Sequence, residues 1–396
     1  MDWDPVDGTP YEKVINAYQE QSGKKVTVFP TPGSGTEYET KVRAMLAGGA
    51  APDIMRLNDD YVRYYSAKKQ IINIDKYVKA DIKPEEYAAG IIDFPRQADG
   101  SYTAWSVGMQ PRLIFFNVNH FKEAGIPLPP KEWTSENWKW DNFLDAAKKL
   151  TKPGEQRWGA LVYDDTGFEQ IWPVNHGEPT GIYSKDGKQF TLANPKGIEA
   201  IQYAVDFTCK HQVQPERGLV RQANTGNNLF AGGQVSMIER VASTNAYFRR
   251  NSSGFEYDVA PIPAGAVDQK TTASLVLFAV TVNSKNPDGA WDLLKFMAGA
   301  EGGKIFTEQG AFIPVHKASA ALLKPGATPP ASYPQNIALF AKAADHLNFN
   351  SLTNNTEGAR NIYRAQLDQV YSCQVSAQDL LTRVKKDVED LLAEEL

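Results

Sequence analysis

Apolar residues recur at Tyr11, Val14, Ile15 and Tyr18, the i, i+3, i+4, i+7 spacing of one helix face, and Gly23 follows where a helix C-cap belongs. The period then shortens. Val26 and Val28 alternate with polar neighbours over Gly23 to Val28, which predicts a strand. A second helical face runs through Tyr38, Val42, Met45 and Leu46, and the stretch Asp53 to Leu57 reads as the next strand. Such a βα rhythm predicts an α/β fold with mixed, mostly parallel sheets flanked by helices, whose ligand sites lie beyond the carboxyl ends of the strands. Asn58, Asp59, Asp60 and Tyr61 stand just past such an end.

Farther along, Tyr102 to Pro130 reads as an apolar strand, a short helix and a Pro-rich loop, followed by an aromatic-initiated amphipathic helix over Trp140 to Thr151. Leu144, Ala147 and Leu150, and likewise Trp291, Leu294 and Phe296, are expected in the core. Lys324 to Pro334 is expected as a surface loop, and Lys385 to Glu395 as a helix with Val388, Leu391 and Leu392 turned inward. A chain of 396 residues exceeds what one compact core usually serves and suits two domains.

The composition, 42% hydrophobic and 22% charged, is that of a globular protein, and no apolar run approaches the ~20 residues of a transmembrane helix. A net charge of -5 argues against nucleic acid, whose phosphates are bound by clustered Lys and Arg. The opening MDWDPVDGTPYE has neither the basic nor the apolar region of a secretory signal, which favours a cytoplasmic protein or a processed one. Only Cys209 and Cys373 occur, which excludes a thiolate metal cage and leaves open one disulfide or two free thiols. The five histidines form no HExxH pair, and no GxSxG elbow is present. Gly33 to Tyr38 lacks the lysine of a phosphate loop, and Gly299 to Ile305 has Ile305 where Ser or Thr would hold magnesium. No catalytic residue, metal or cofactor is expected.

Several segments taken in order resemble one family. They are GKKVTV (23–28), YETKVRAMLAGGAAPDIMRL (38–57), GMQPRLIFFNVNHFKEAGIPLPP (108–130), WDNFLDAAKKLT (140–151), WGALVYD (158–164), FAGGQVSMIE (230–239), AWDLLKFMAGAEGGKIFTEQGAFIPVHKAS (290–319) and SAQDLLTRVKKDVEDLL (376–392). Together they are similar to the extracellular solute-binding proteins of ABC transporters, the carbohydrate-binding, maltose-receptor-like family, with the chain starting at or inside that family's first strand. The resemblance implies a two-lobe periplasmic-binding-protein fold of type II-like form with a hinge between lobes. The lobes would be 1–109 with 264–314 and 110–263 with 315–396, crossing at Gly108 to Arg112, Pro261 to Gly265 and Pro314 to His316, with the ligand cleft between them. It implies a monomeric receptor, not an enzyme, that binds a sugar or oligosaccharide by lobe closure and delivers it to ABC permease subunits. The setting would be periplasmic or extracellular, with a lipoprotein anchor as one means of retention.

Sugar sites need aromatic planes for C–H faces and carboxylates or amides for hydroxyls. By position relative to the family, the candidates are Trp3, Asp4 and Asp7 after the first strand, and Asn58, Asp59, Asp60 and Tyr61 after the Pro-Asp-Ile strand. To these add Trp105, Gln110 and Arg112 at the first crossover, and Phe168, Glu169 and Trp172 in the middle of the chain. Glu239 and Arg240 stand beside Val241 and Ser243, where relatives carry Gly and a cleft tryptophan. His346, Asn348, Phe349 and Asn350 come late. Each has a plainer reading: Asp59 and Asp60 as helix caps, Arg112 as an ion-pair partner, Trp172 as core. Two other functions fit the chain less closely. One is the same fold holding a charged solute such as glycerol phosphate, favoured by arginines like Arg112 and Arg240, or a polyamine, favoured by Asp59 with Asp60. The other is a glycan-cleaving enzyme, which needs two carboxylates about 5 to 10 Å apart across the sugar, unlike adjacent Asp59 and Asp60.

Overall fold

Helix α1, Pro10–Ser22, stops where the pattern predicts, with Gly23 at φ 67° and its N–H bonded to Gln19 O at 3.0 Å. Glycine has no Cβ to clash in that left-handed cap. The computed structural model describes residues 9–29, 36–97, 99–163, 168–222, 224–252, 254–327, 332–351, 353 and 355–394. The predicted strand over Gly23 to Val28 does not form. Its residues join no ladder among the described residues. Helix α2, Thr36–Ala47, and strand β1, Ile54–Leu57, follow as expected.

Contacts divide the chain into two compact units, 1–110 with 274–323 and 111–273 with 324–395. The changes of unit fall at 110/111, inside the first expected crossover, and at 273/274 and 323/324, about ten residues after the other two.

In the first unit β1 pairs with β5, Ala273–Val280, placing Ile54 opposite Val280 and Leu57 opposite Leu277. The start of β2, Trp105–Asn117, meets β6, Ile313–Pro314, at Gly108 and Met109. Gly108 is required there: a Cβ would stand 2.0 Å from Phe312 Cδ2. Tyr11, Phe306 and Phe312 form an aromatic core at centroid spacings of 5.2 and 4.5 Å.

In the second unit the rest of β2 pairs with β3, Met237–Val241, and β4, Tyr257–Ala260. These ladders of β1 with β5 and of β2 with β3, β4 and β6 are antiparallel, and Leu161 with Ile238 makes a single parallel bridge. The mostly parallel expectation followed chain order, whereas these strands are paired with segments far away in sequence. Over the sheet packs the predicted amphipathic helix, observed as Trp140–Leu150, burying Trp140, Phe143, Ala147 and Leu150. Each large side chain so buried contributes about 1.5 to 3 kcal/mol. Leu144 and Phe296, expected inside, are only partly buried. Helix Pro195–Cys209 is joined by the Cys209–Cys373 disulfide, Cα to Cα 5.6 Å, to the turn between helices Thr356–Tyr371 and Ala377–Leu392. The question left open by the sequence is thereby closed.

Candidate functional site

At the carboxyl end of β1 the chain turns through a short 3-10 helix, Asp59–Tyr61. Both carboxylate oxygens of Asp59 accept from Leu275 N, at 3.2 and 3.1 Å, so this side chain ties the turn to the head of β5. Asn58 Nδ2 donates to Glu39 Oε1 at 3.3 Å, and Tyr65 OH donates to Glu39 Oε2 at 2.7 Å. Burial, with the Glu39 carboxylate beside it, raises the Tyr65 pKa and keeps the phenol neutral. The Arg43 guanidinium lies over the rings of Tyr61 and Tyr64 at 5.3 and 5.2 Å, a cation–π arrangement that holds Tyr61 partly exposed. Asp60 occupies the same turn, its side chain outside the described residues, as are Trp3, Asp4 and Asp7. Gln110 is partly exposed on β2.

Trp105 is different. It is fully buried, packed in the first unit's core against Tyr102, Tyr87 and Trp291 at 5.6, 5.9 and 6.2 Å. Its indole thus acts as core and is not a surface for a ligand, because three aromatic neighbours enclose it.

The second-unit candidates fall into two layers. Beneath lies a buried polar frame: Arg112 Nε donates to Glu239 Oε1 at 2.9 Å, and Trp172 Nε1 donates to Glu239 Oε2 at 3.1 Å. Trp172 and Glu239 are 0% and 1% exposed. Arg240 donates from Nε to Asn227 Oδ1 and from Nη1 to the Glu239 carbonyl, each at 2.7 Å. Glu169, starting one end of helix Phe168–His176, accepts from Arg364 Nε at 2.9 Å, Tyr363 OH at 3.2 Å and Tyr371 OH at 3.3 Å. Both tyrosine pKa values are raised by burial, and the Arg364 pKa, which burial alone would lower, is raised by Glu169. These charges are spent on each other and hold helix and sheet together. The Phe168 side chain is outside the described residues.

Above this frame is a half-exposed layer. The carbonyl of His346 accepts from Thr271 N at 2.9 Å and Asn348 N donates to Thr271 O at 2.7 Å, while Thr271 Oγ1 donates to Arg112 O at 2.6 Å. That link fixes the late segment to β2. The His346 ring stacks on Trp133, 4.3 Å and 9° apart, and Trp133 Nε1 donates to Gln269 O at 2.8 Å. Burial, with Lys270 near, lowers the His346 pKa, so the imidazole is neutral at pH 7. Asn348 Oδ1 accepts from Gln170 Nε2 at 2.6 Å. Phe349 and Asn350 are partly buried in the same segment. Sequence reasoning missed Trp133 and Gln170. A tryptophan just after Pro129–Pro130 and outside any helical face was the available signal for the former; nothing marked the latter.

Among the described residues no group of three or more His, Cys, Asp or Glu could hold a metal ion, and no helix is long and apolar enough to cross a membrane.

Residues 2–304 match the model of the bacterial extracellular solute-binding protein family. The chain belongs to this family. A binding protein of Brucella abortus (strain 2308) is 27% identical over 57% of this solute-binding protein and 54% of its own length; the chain spans about half the length of the curated relatives it matches. Among solved structures, the ABC substrate-binding protein of Listeria monocytogenes in complex with cycloalternan is similar at a TM-score of 0.82 with 18% identity, covering 100% of this chain and 98% of that one. UgpB of Mycobacterium tuberculosis in complex with glycerophosphocholine gives 0.79 with 16% identity, covering 99% and 98%. These solved structures share the two-lobe periplasmic-binding-protein fold with this solute-binding protein.

Proposed function

We propose that this solute-binding protein is the substrate receptor of an ABC importer, that its ligand is a sugar or short oligosaccharide, and that it performs no covalent chemistry. Membership of the family carries the receptor reading. The sugar reading is supported by the late segment of the second unit, where a partly exposed indole–imidazole stack and the partly exposed amide of Asn348, held from below by buried Gln170, supply an apolar plane and a polar group, since pyranoses present both apolar faces and hydroxyls. In this reading Asn58, Asp60, Tyr61 and Gln110 contribute from the first unit. Arg112, Glu169, Trp172, Glu239 and Arg240 act as the rigid frame under the binding layer. Ligand held by both lobes favours the closed form and shifts the population toward it, which is the signal to the permease. The disulfide suits an oxidising compartment outside the cytoplasm, with a lipid anchor or a periplasm as the means of retention.

Because Arg112 and Arg240 are engaged with Glu239 and Asn227, they do not favour a phosphate-bearing ligand. The test is a thermal-shift screen against mono- and oligosaccharides, glycerol phosphate and polyamines, since a ligand of the folded state raises Tm. A saturable shift with one sugar series is expected, and a response to charged solutes alone would overturn the sugar reading. Shorter products appearing from a labelled oligosaccharide would overturn the non-enzymatic one. With the ligand identified, Asp60→Ala should weaken binding by about 1.5 to 3 kcal/mol, the worth of a charged hydrogen bond; calorimetry that gives unchanged affinity removes Asp60 from the site.

A further inference from the structure

Gln170 is 3% exposed on helix Phe168–His176, and its Nε2 donates to Oδ1 of the partly exposed Asn348 at 2.6 Å. At the other end of that amide, Asn348 Nδ2 donates to the Pro179 carbonyl at 3.3 Å. A carbonyl oxygen can only accept, so the Asn348 atom facing Pro179 is the NH2 group; its oxygen then faces Gln170, which must answer with its own NH2. Reversing either amide would set two oxygens against each other. The order has a cost. Gln170 Oε1 is buried and meets no donor among the described residues, a penalty that an unconstrained amide would avoid. Room for the amide exists because residue 181 is glycine: a Cβ there would stand 2.3 Å from Gln170 Oε1 and 2.8 Å from Nε2. Gly181 is itself fixed, its N–H donating to Glu178 O at 3.0 Å and its carbonyl accepting from Thr191 Oγ1 at 2.9 Å. Asn348 N in turn donates to Thr271 O at 2.7 Å.

We propose that Gln170 is a positioning residue of the ligand site, locking the Asn348 amide in one orientation toward a bound solute; this rests on the reading of the late segment as part of a sugar site. The Asn348 amide has two N–H groups and two acceptor lone pairs. One of each is taken, so one N–H and one lone pair are left, on fixed sides. An unlocked exposed amide turns over at little cost and meets either arrangement of donors and acceptors. Locked, it asks for a hydroxyl at Oδ1, while Nδ2 takes a hydroxyl, ring or glycosidic oxygen. It also loses less side-chain freedom when ligand binds, which strengthens binding without a new contact. Gln170, being buried, selects through Asn348 and touches no ligand itself.

Gln170→Glu keeps the shape but, when ionised, can only accept, so Asn348 must turn over or lose the bond. Taking up a proton gives the introduced carboxyl an O–H that donates to Oδ1 again, and burial brings that protonation to a higher pH than is usual for a carboxylate. Gln170→Met keeps the volume and has no donor at any pH. The Asn348 side-chain amide resonances are followed by NMR in the ligand-free proteins, and affinity for maltose, cellobiose and lactose by calorimetry. Both are measured across pH beside the wild type, so that Glu169, Glu178 and His346, common to all, cancel. Each variant should bind the sugar about tenfold more weakly above neutral pH, the worth of one hydrogen bond. Gln170→Glu alone should regain affinity, and the wild-type resonances, as pH falls. In an Asn348→Ala background neither substitution should matter. Asn348 resonances that are the same in all three proteins overturn the proposal, and so does an equal loss of affinity with and without the Asn348 amide. A wild type that binds none of the sugars but takes up glycerol phosphate or spermidine strikes the sugar reading, and the resonances and the same comparison on that solute then decide the role of Gln170.

Discussion

Replacing Glu239 by alanine removes one half of a buried pair. Glu239 is 1% exposed and Arg112 is 6% exposed, and the carboxylate also accepts the Trp172 indole N–H. Two ions taken out of water are tolerated because each neutralises the other. With Glu239 gone, the guanidinium stays on β2, buried and without the carboxylate that accepts from its Nε, at a cost of about 3 to 5 kcal/mol. For a unit of this size about 1 kcal/mol moves Tm by about 2 to 4 °C, so the loss should be about 10 °C. Glu239→Gln keeps the shape and one acceptor but not the charge, and should cost less than alanine. The informative comparison is the double variant Arg112→Met with Glu239→Leu, which replaces the pair by apolar groups of similar volume and should recover most of the loss. Urea denaturation and calorimetry on the four proteins read this directly. An alanine variant costing under about 1 kcal/mol, or a double variant no more stable than Glu239→Ala, would refute the argument that uncompensated buried charge is what matters.

Reduction of Cys209–Cys373, which closes a loop of sequence separation 164, should destabilise the protein by about 2 to 5 kcal/mol, read as a fall in Tm with reductant that Cys209→Ser with Cys373→Ser reproduces without it. Gly159→Ala places a Cβ 1.9 Å from the Ala147 carbonyl, which cannot move without shifting helix Trp140–Leu150, so a loss of about 3 kcal/mol is expected in urea titration. His120 has its pKa lowered by burial and by Arg157 to about 4, from an ordinary 6.5. The unfolded chain therefore binds the proton first, and stability present above pH 6.5 should decline as pH falls toward 4, a slope that His120→Asn flattens in denaturation at several pH values. Asp59→Ala should loosen the turn after β1, with amide exchange at Leu275 accelerated and stability lowered by about 1 to 2 kcal/mol.

Local periodicity determined α1, its stop at Gly23, α2, β1 and the helix at Trp140, because spacing on one face and a glycine cap are properties of neighbouring residues. The order of segments was enough to indicate the family. Partnerships between distant residues were not legible. Val26 and Val28 spell a strand, yet strand formation requires a partner that spacing cannot supply. Trp105 and Trp172 look alike in the sequence to any exposed platform, and only packing shows them enclosed, while Trp133, in a Pro-flanked loop, became the half-exposed ring. Arg112 and Glu239 were each open to a ligand role until β2 and β3 paired, which put them side by side where a buried charge must find its opposite. The pairing of Cys209 with Cys373 likewise waited on the packing of three helices. The sequence by itself determined the elements and the kind of protein; the tertiary structure decided which polar groups are consumed in holding it together, because burial and charge pairing depend on residues far apart along the chain.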